Sequence, residues 1–195
     1  MKAGGLAHTP VRDIMTSRPL MNGVLAGVIS QTDIVRAVAT GKDRPMTAVH
    51  EVMSTSPVTV MPTTSVGELL VLFDRHDFNA LPVLDESERL TGIVSKLDVL
   101  QLLLSDRLST PSEMGAIGPV RVADLMRRRI VSIEARDSIA EAGALMFALK
   151  LRSLPVVEQR AGRPTLVGML SRGDVLRGLR HQLLEGSYVR QAPAA

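Results

Sequence analysis

Apolar and polar positions along this chain recur in one register, twice in full. An acidic pentapeptide ending in Met (Val49–Met53, Val122–Met126) is followed by a short β-branched run, Ser56–Val60 or Arg129–Ile133, with the composition of a strand. Ser65 with Glu68, and Ser138 with Glu141, then stand at capping-box spacing, so a helix begins at each. Val66, Leu69, Leu70 and Phe73, like Ile139, Ala142, Gly143 and Met146, fall at i, i+3, i+4 and i+7 and give each helix one apolar stripe. Leu81–Leu84 and Leu154–Val157 read as strands that lead through a polar turn into Gly92–Val94 and Gly168–Leu170, forming hairpins. Pro155 to Gly168 spans 13 residues where Pro82 to Gly92 spans 10, so the connection is three residues longer in the later copy, where Glu158–Thr165 stands in place of Asp85–Thr91, an inexpensive kind of insertion. A last helix opens near Ser95 or Ser171, with Val99, Leu100 and Leu103, or Val175, Leu176 and Leu179, turned inward. The predicted unit is an α/β one: strand, helix, strand, strand, helix.

Met53 to Pro82 and Met126 to Pro155 each span 29 residues, so one supersecondary unit is duplicated, and each copy needs a neighbour to close its core. A third occurrence at the N-terminus is damaged. Val11–Met15 opens it and Gly27–Asp33 closes it, yet only 12 residues separate Met15 from Gly27 where 39 separate Met53 from Gly92. The helix and the Leu-Pro strand are missing there. The expected organisation is a truncated repeat at 11–37 and full repeats at 49–104 and 122–180. The full repeats two and three then form the working pair. Alternatively, the short connector Ala39–Thr47 marks repeats one and two as a broken former pair, with Ser105–Pro119 setting apart a third copy that pairs across chains.

Composition narrows the chemistry. The 195 residues are 45% apolar, enough for a real core. No stretch approaches the ~20 apolar residues of a membrane span, and the first ten residues lack the apolar heart of a signal peptide, which points to the cytoplasm. Zero cysteines exclude disulfides, thiol catalysis and thiolate metal sites. The net charge of +3 is modest. Arg127, Arg128 and Arg129 form the sharpest basic run, a solvated loop or a weak nucleic-acid contact, and three Phe with one Tyr give few stacking platforms for bases. His8, His50, His76 and His181 lack metal-ligand spacing, and no Walker lysine loop, Rossmann fingerprint or nucleophile elbow occurs. Glu51 and Asp124, in the openings, are expected to pair with a nearby Arg rather than act as acid and base. The chain therefore reads as no enzyme, with no metal and no required cofactor.

The order of elements, the acidic-apolar-Met opening, the LeuProVal strand and the Gly-apolar-apolar-Ser-x-x-Asp close together resemble cystathionine-β-synthase (CBS) domains. The resemblance implies a tandem CBS-domain pair: α/β units that associate through their sheets as regulatory modules for AMP, ADP, ATP or S-adenosylmethionine, bound in a cleft between repeats. By resemblance, Asp98 and Asp174 are ribose ligands, Ser95 and Ser171 the hydroxyls beside the ribose or phosphate, and Lys96 and Arg172 phosphate partners. Asp33 and Ser30 match by motif alone. A carboxylate at a helix start suits two ribose hydroxyls, and free helix amides suit phosphate oxygens. The same residues also serve simply as helix caps. The resemblance puts the adenine slot at Pro57, Val58, Ile130 and Val131, with Ile93 and Met169 behind them, residues that otherwise belong to plain core. Arg152, before its Leu-Pro strand, can reach a phosphate where the corresponding Asn79 cannot, so the two sites are unequal. The expected partners are an adenosyl small molecule, a second copy in a homodimer and a regulated protein, without membrane. The rival readings are a ligand-free interaction or dimerisation module and, behind it, a nucleic-acid binder.

Overall fold

A computed structural model describes residues 29–40, 46–76, 78–104 and 120–180. The opening and Gly strand of the truncated repeat (Val11–Val28), His8, His181 and the segment Ser105–Pro119 lie outside the described residues. In chain order the elements are α1 (Gln31–Thr40), α2 (Val49–Val52), β1 (Ser54–Thr55), α3 (Val66–Arg75), β2 (Ala80–Leu84), β3 (Leu90–Ser95), α4 (Lys96–Leu103), α5 (Val122–Leu125), β4 (Ile133–Glu134), α6 (Ile139–Ala148), β5 (Ser153–Arg160) and β6 (Arg163–Ser171). A closing helix, α7, covers residues 172–180.

Two compact units divide these elements. The first takes the chain up to Ser54, Ile133–Val156 and the chain from Met169 on, and the second takes Thr55–Ser132 with Val157–Gly168. The units do not coincide with contiguous repeats, because the openings are exchanged. In the second unit, α5 from the third repeat lies on the entry of α3: Val122 N–H donates to Thr64 O (2.9 Å), Ala123 N–H to Pro62 O (2.9 Å), and Val66 N–H to Val120 O (3.1 Å). In the first unit, α2 from the second repeat lies on the entry of α6, with Val49 N–H to Asp137 O (2.8 Å), His50 N–H to Ala135 O (2.9 Å) and Ile139 N–H to Thr47 O (3.0 Å). Glu51 and Asp124 do not pair with arginines as expected. Glu51 Oε1 accepts from Ala48 N–H (2.7 Å) and Asp124 Oδ2 from Arg121 N–H (2.9 Å), because a four-residue helix has an unpaired first amide that its own carboxylate reaches sooner.

The four-stranded sheet is ordered β1-β6-β5-β4, and β2 pairs antiparallel with β3 in a separate sheet. The second unit flanks β3 and β2 with single bridges, Arg127 to Ile93 on one side and Val60, parallel, to Val83 on the other. The runs Ser56–Val60 and Arg129–Ile133 are therefore far less regular than their β-branched residues suggest. Ser56 sits at a φ of 53° and Pro57 has no N–H to give to a ladder, so the first run makes only the Val60 bridge. In the second, β4 begins only at Ile133.

The later hairpin corrects the expected eight-residue turn. Its strands continue to Arg160 and from Arg163, joined by Ala161 and Gly162 at φ of 50° and 74°. Two consecutive positive φ values match the twist of a tight hairpin. In the shorter hairpin, Asp85 Oδ1 accepts from Ser87 and Arg89 N–H, both at 2.9 Å, and closes the turn.

Both predicted capping boxes on α3 and α6 form. Ser65 Oγ accepts from Glu68 N–H (3.2 Å) while Glu68 accepts from Ser65 N–H (2.8 Å), and Ser138 with Glu141 repeats this at 3.2 and 2.9 Å. Val66, Leu69 and Phe73 enter a core with Leu81, Val83, Val94, Val99, Val122 and Met126. Leu70 does not, and it is exposed with Val71. The α6 stripe is buried as predicted, and α1 packs on it, with the missing side chain of Gly143 leaving room for Val35 and Val38. The helix α1, which includes the expected tail of a truncated repeat, thus belongs to the first unit. On α4 only Val99 of the three predicted inward residues is buried, whereas Leu100 and Leu103 are exposed.

Candidate functional site

All three Ser-x-x-Asp motifs build the same object. The aspartates are the only buried charged residues among those described: Asp33 at 6%, Asp98 at 7% and Asp174 at 4% exposure. In each, Oδ2 accepts from the Ser N–H and the Ser hydroxyl: 2.8 and 2.6 Å for Ser30, 2.8 and 2.5 Å for Ser95, 2.6 and 2.7 Å for Ser171. At the latter two the Ser Oγ in turn faces the Asp N–H at 3.3 Å. The motif is a capping box with Asp in the Glu position, so the capping reading of Ser95, Asp98, Ser171 and Asp174 is realised geometrically. Capping uses one oxygen of each carboxylate.

The other oxygen, Oδ1, faces an arginine in every case. Asp33 takes Arg36 (3.3 Å) and Asp174 takes Arg177, each three residues on along the same helix. At the corresponding place after Asp98 stands Gln101. Asp98 takes its cation from the third repeat instead: Arg127 Nε donates to Oδ1 at 2.9 Å. Arg127 is held there by its backbone, which exchanges two hydrogen bonds with Ile93 in β3, at 3.1 and 2.9 Å. The approach is close because Met126 packs on Gly92, where an added Cβ would stand 2.7 Å from the thioether sulfur. Arg127 is the functional candidate that a reading of the basic run as a solvated loop passes over. The signal for it in the sequence is the absent Arg at position 101.

The remaining predicted site residues fall into two groups. In the second unit, Pro57, Val58, Ile93, Ile130 and Val131 are all half-buried, Val58 against the core. Lys96 places its ammonium 5.9 Å from the centre of the Phe73 ring, a cation–π distance, and its N–H donates to Asn79 O (3.1 Å). In the first unit the equivalent backbone bond joins Arg172 N–H to Arg152 O (3.1 Å). The Arg172 guanidinium is tied down, Nε to Leu151 O (2.9 Å) and Nη1 to Thr32 Oγ1 (2.6 Å) on α1. Burial first, and the charge of Arg152 second, lower its pKa below the usual arginine value. Two cations therefore stand together there. Met169 is half-buried in β6 of the same unit.

A cavity of about 680 Å³ in the second unit is lined by none of these residues. Glu68, Asp85, Glu86 and Glu88 edge it, which disfavours phosphate, and two of these acids already close a cap and a turn. Among the described residues no group of three or more His, Asp or Glu side chains could hold a metal ion, and no helix is long and apolar enough to cross a membrane. In the basic run, Arg127 is engaged with Asp98 and Arg128 donates to Ala123 O (3.3 Å).

Comparison with known proteins follows the repeats. The family model of the CBS domain matches residues 49–105 and 122–181. The CBS domain-containing protein YhcV of Bacillus subtilis is 30% identical over 133 residues, covering 67% of this chain and 84% of its own length. Protein MJ1404 of Methanocaldococcus jannaschii is 24% identical over 170 residues, 82% of this chain, and the chain spans only 38% of that relative. Among solved structures, CBSX2 of Arabidopsis thaliana in complex with AMP superposes with a TM-score of 0.57 at 30% identity, covering 69% of this chain and 97% of CBSX2.

Proposed function

Since the chain belongs to the CBS-domain family, we propose that it is a non-catalytic regulatory module whose Ser-x-x-Asp boxes bind an adenosine-containing ligand: AMP, ADP, ATP or S-adenosylmethionine. The observation that carries this reading is the burial of Asp98 and Asp174 with one carboxylate oxygen spent on the cap and the other turned to a cation that a ligand can exchange. In this reading Asp98 and Asp174 receive ribose hydroxyls, with Ser95 and Ser171 fixing the carboxylates. Pro57, Val58, Ile130 and Val131 flank adenine, and Lys96, Arg152 and Arg172 attract phosphate. The neighbouring charges of Arg152 and Arg172 favour an anion between them. CBSX2, at 30% identity, is a complex with AMP, which supports the ligand class.

A bound ligand acts on a partner only through unequal affinity for two arrangements of the protein, so binding and regulation are coupled reciprocally. A melting-temperature panel with AMP, ADP, ATP and S-adenosylmethionine tests the reading. A ligand at 100 times its dissociation constant stabilises the fold by about 2.7 kcal/mol, an easily seen shift. A flat panel would refute it.

A second reading, a dimerisation or docking module without ligand, draws on α4, where Leu97, Leu100 and Leu103 are exposed, with Leu104 exposed directly after it. Apolar residues gathered on one short helix suit a partner surface or a homodimer. Sedimentation of the wild type beside Leu100→Glu tests it: a dimer that dissociates in the variant supports the reading, and a monomer in both removes it.

A further inference from the structure

We infer that Arg127 is a ligand-exchanged latch on Asp98, and that it makes the second repeat's site selective for phosphorylated adenosine over adenosine itself. The inference rests on the adenosyl reading above. A carboxylate offers about four lone-pair positions. On Asp98, Oδ2 spends two on the Ser95 N–H and hydroxyl, and Oδ1 spends one on Arg127 Nε. One position is left. A ribose cis-diol donates two hydrogen bonds, so it takes full hold of Asp98 only when Arg127 withdraws, because the two bonds on Oδ2 also cap α4.

Arg127 is suited to withdraw. Its side chain is 53% exposed while its backbone stays pinned to Ile93. The guanidinium can therefore swing without the chain moving, and it remains within a side chain's length of the ribose it released. Once displaced, it carries an uncompensated charge beside the ligand. A phosphate on the ribose satisfies that charge with a forked pair of hydrogen bonds, which a nucleoside cannot do. Asp98 draws this cation from another repeat, whereas Arg36 and Arg177 belong to the same helices as the aspartates they face.

Calorimetric titration of the full chain with AMP and with adenosine tests the inference in the wild type, Arg127→Gln and Arg127→Lys. Wild type should bind AMP about tenfold or more tighter than adenosine, the worth of a charged hydrogen bond. In Arg127→Gln, adenosine should bind tighter than in wild type, because the competitor for Asp98 is gone, while AMP binds more weakly, so the preference collapses. Arg127→Lys should keep part of it, retaining charge without the fork. If Arg127→Gln binds both compounds with the wild-type ratio, the latch is refuted and the adenosyl reading survives. If wild type binds neither AMP nor adenosine, the latch is refuted, and only a flat response to ADP, ATP and S-adenosylmethionine as well takes the adenosyl reading with it.

Discussion

Replacing Asp98 with Ala removes a cap and an ion pair at once, and the structure permits the two losses to be separated. Asp98 is 7% exposed and accepts from Ser95 N–H, Ser95 Oγ and Arg127 Nε. Losing the box strips the first turn of α4 of its partner, a cost of about 1–2 kcal/mol on the scale of helix caps. The bond to Arg127 adds only about 0.2–1 kcal/mol, because the arginine is half in water and its charge is screened. Asp98→Ala should therefore destabilise by roughly 1–3 kcal/mol. Asp98→Asn keeps a carbonyl oxygen for both Ser95 donors and turns its amide toward Arg127, so it should lose only about 0.5–1 kcal/mol. Urea unfolding followed by circular dichroism, with the slope held constant, reads both midpoints. Equal losses for Ala and Asn would refute the assignment of the cap to Oδ2. The comparison also decides how a binding defect in Asp98→Ala is to be interpreted, since a variant this destabilised loses ligand for two reasons.

Further expectations follow from the packing. Gly92→Ala should destabilise by about 1–3 kcal/mol, because its Cβ meets Met126 Sδ at 2.7 Å and Met126 Cβ at 3.2 Å, so the side chain that seats Arg127 must shift; thermal unfolding reads this. Gly143→Ala should instead stabilise by about 0.5–1 kcal/mol, since the methyl lands at ordinary contact distance, 3.6 Å from Val35 Cγ1, in the middle of a helix. Glu68 has its pKa lowered below 4.5 by the Ser65 hydroxyl and amide. Its contribution to α3 is therefore fully present above pH 4.5 and lost as pH falls through the lower folded value, and Glu68→Gln should flatten that part of an acid unfolding curve.

The elements legible in the sequence are those that local chemistry decides. Ser65, Ser138, Ser95 and Ser171 each announce a helix start because a cap is settled within four residues. The stripes on α3 and α6 follow from periodicity over three turns. On α4 that method fails: Leu97, Val99, Leu100, Leu102 and Leu103 surround an eight-residue helix, so spacing cannot choose the buried face, and the structure buries Val99. The exchange of openings was not legible either, since nothing within Val49–Met53 or Val122–Met126 states which helix entry will receive its amides. The Asp98 site was therefore only half visible. Its box is local, but its cation arrives from 29 residues away.

Titration calorimetry of AMP into the full chain and into Asp98→Asn tests the account's central claim most directly. The account predicts saturable binding by the wild type and affinity weaker by about tenfold or more in the variant, with ligand-free melting of the two close together. Wild-type protein that gives no binding heat with AMP, ADP, ATP or S-adenosylmethionine, or an Asp98→Asn variant that binds as tightly as wild type, would contradict it.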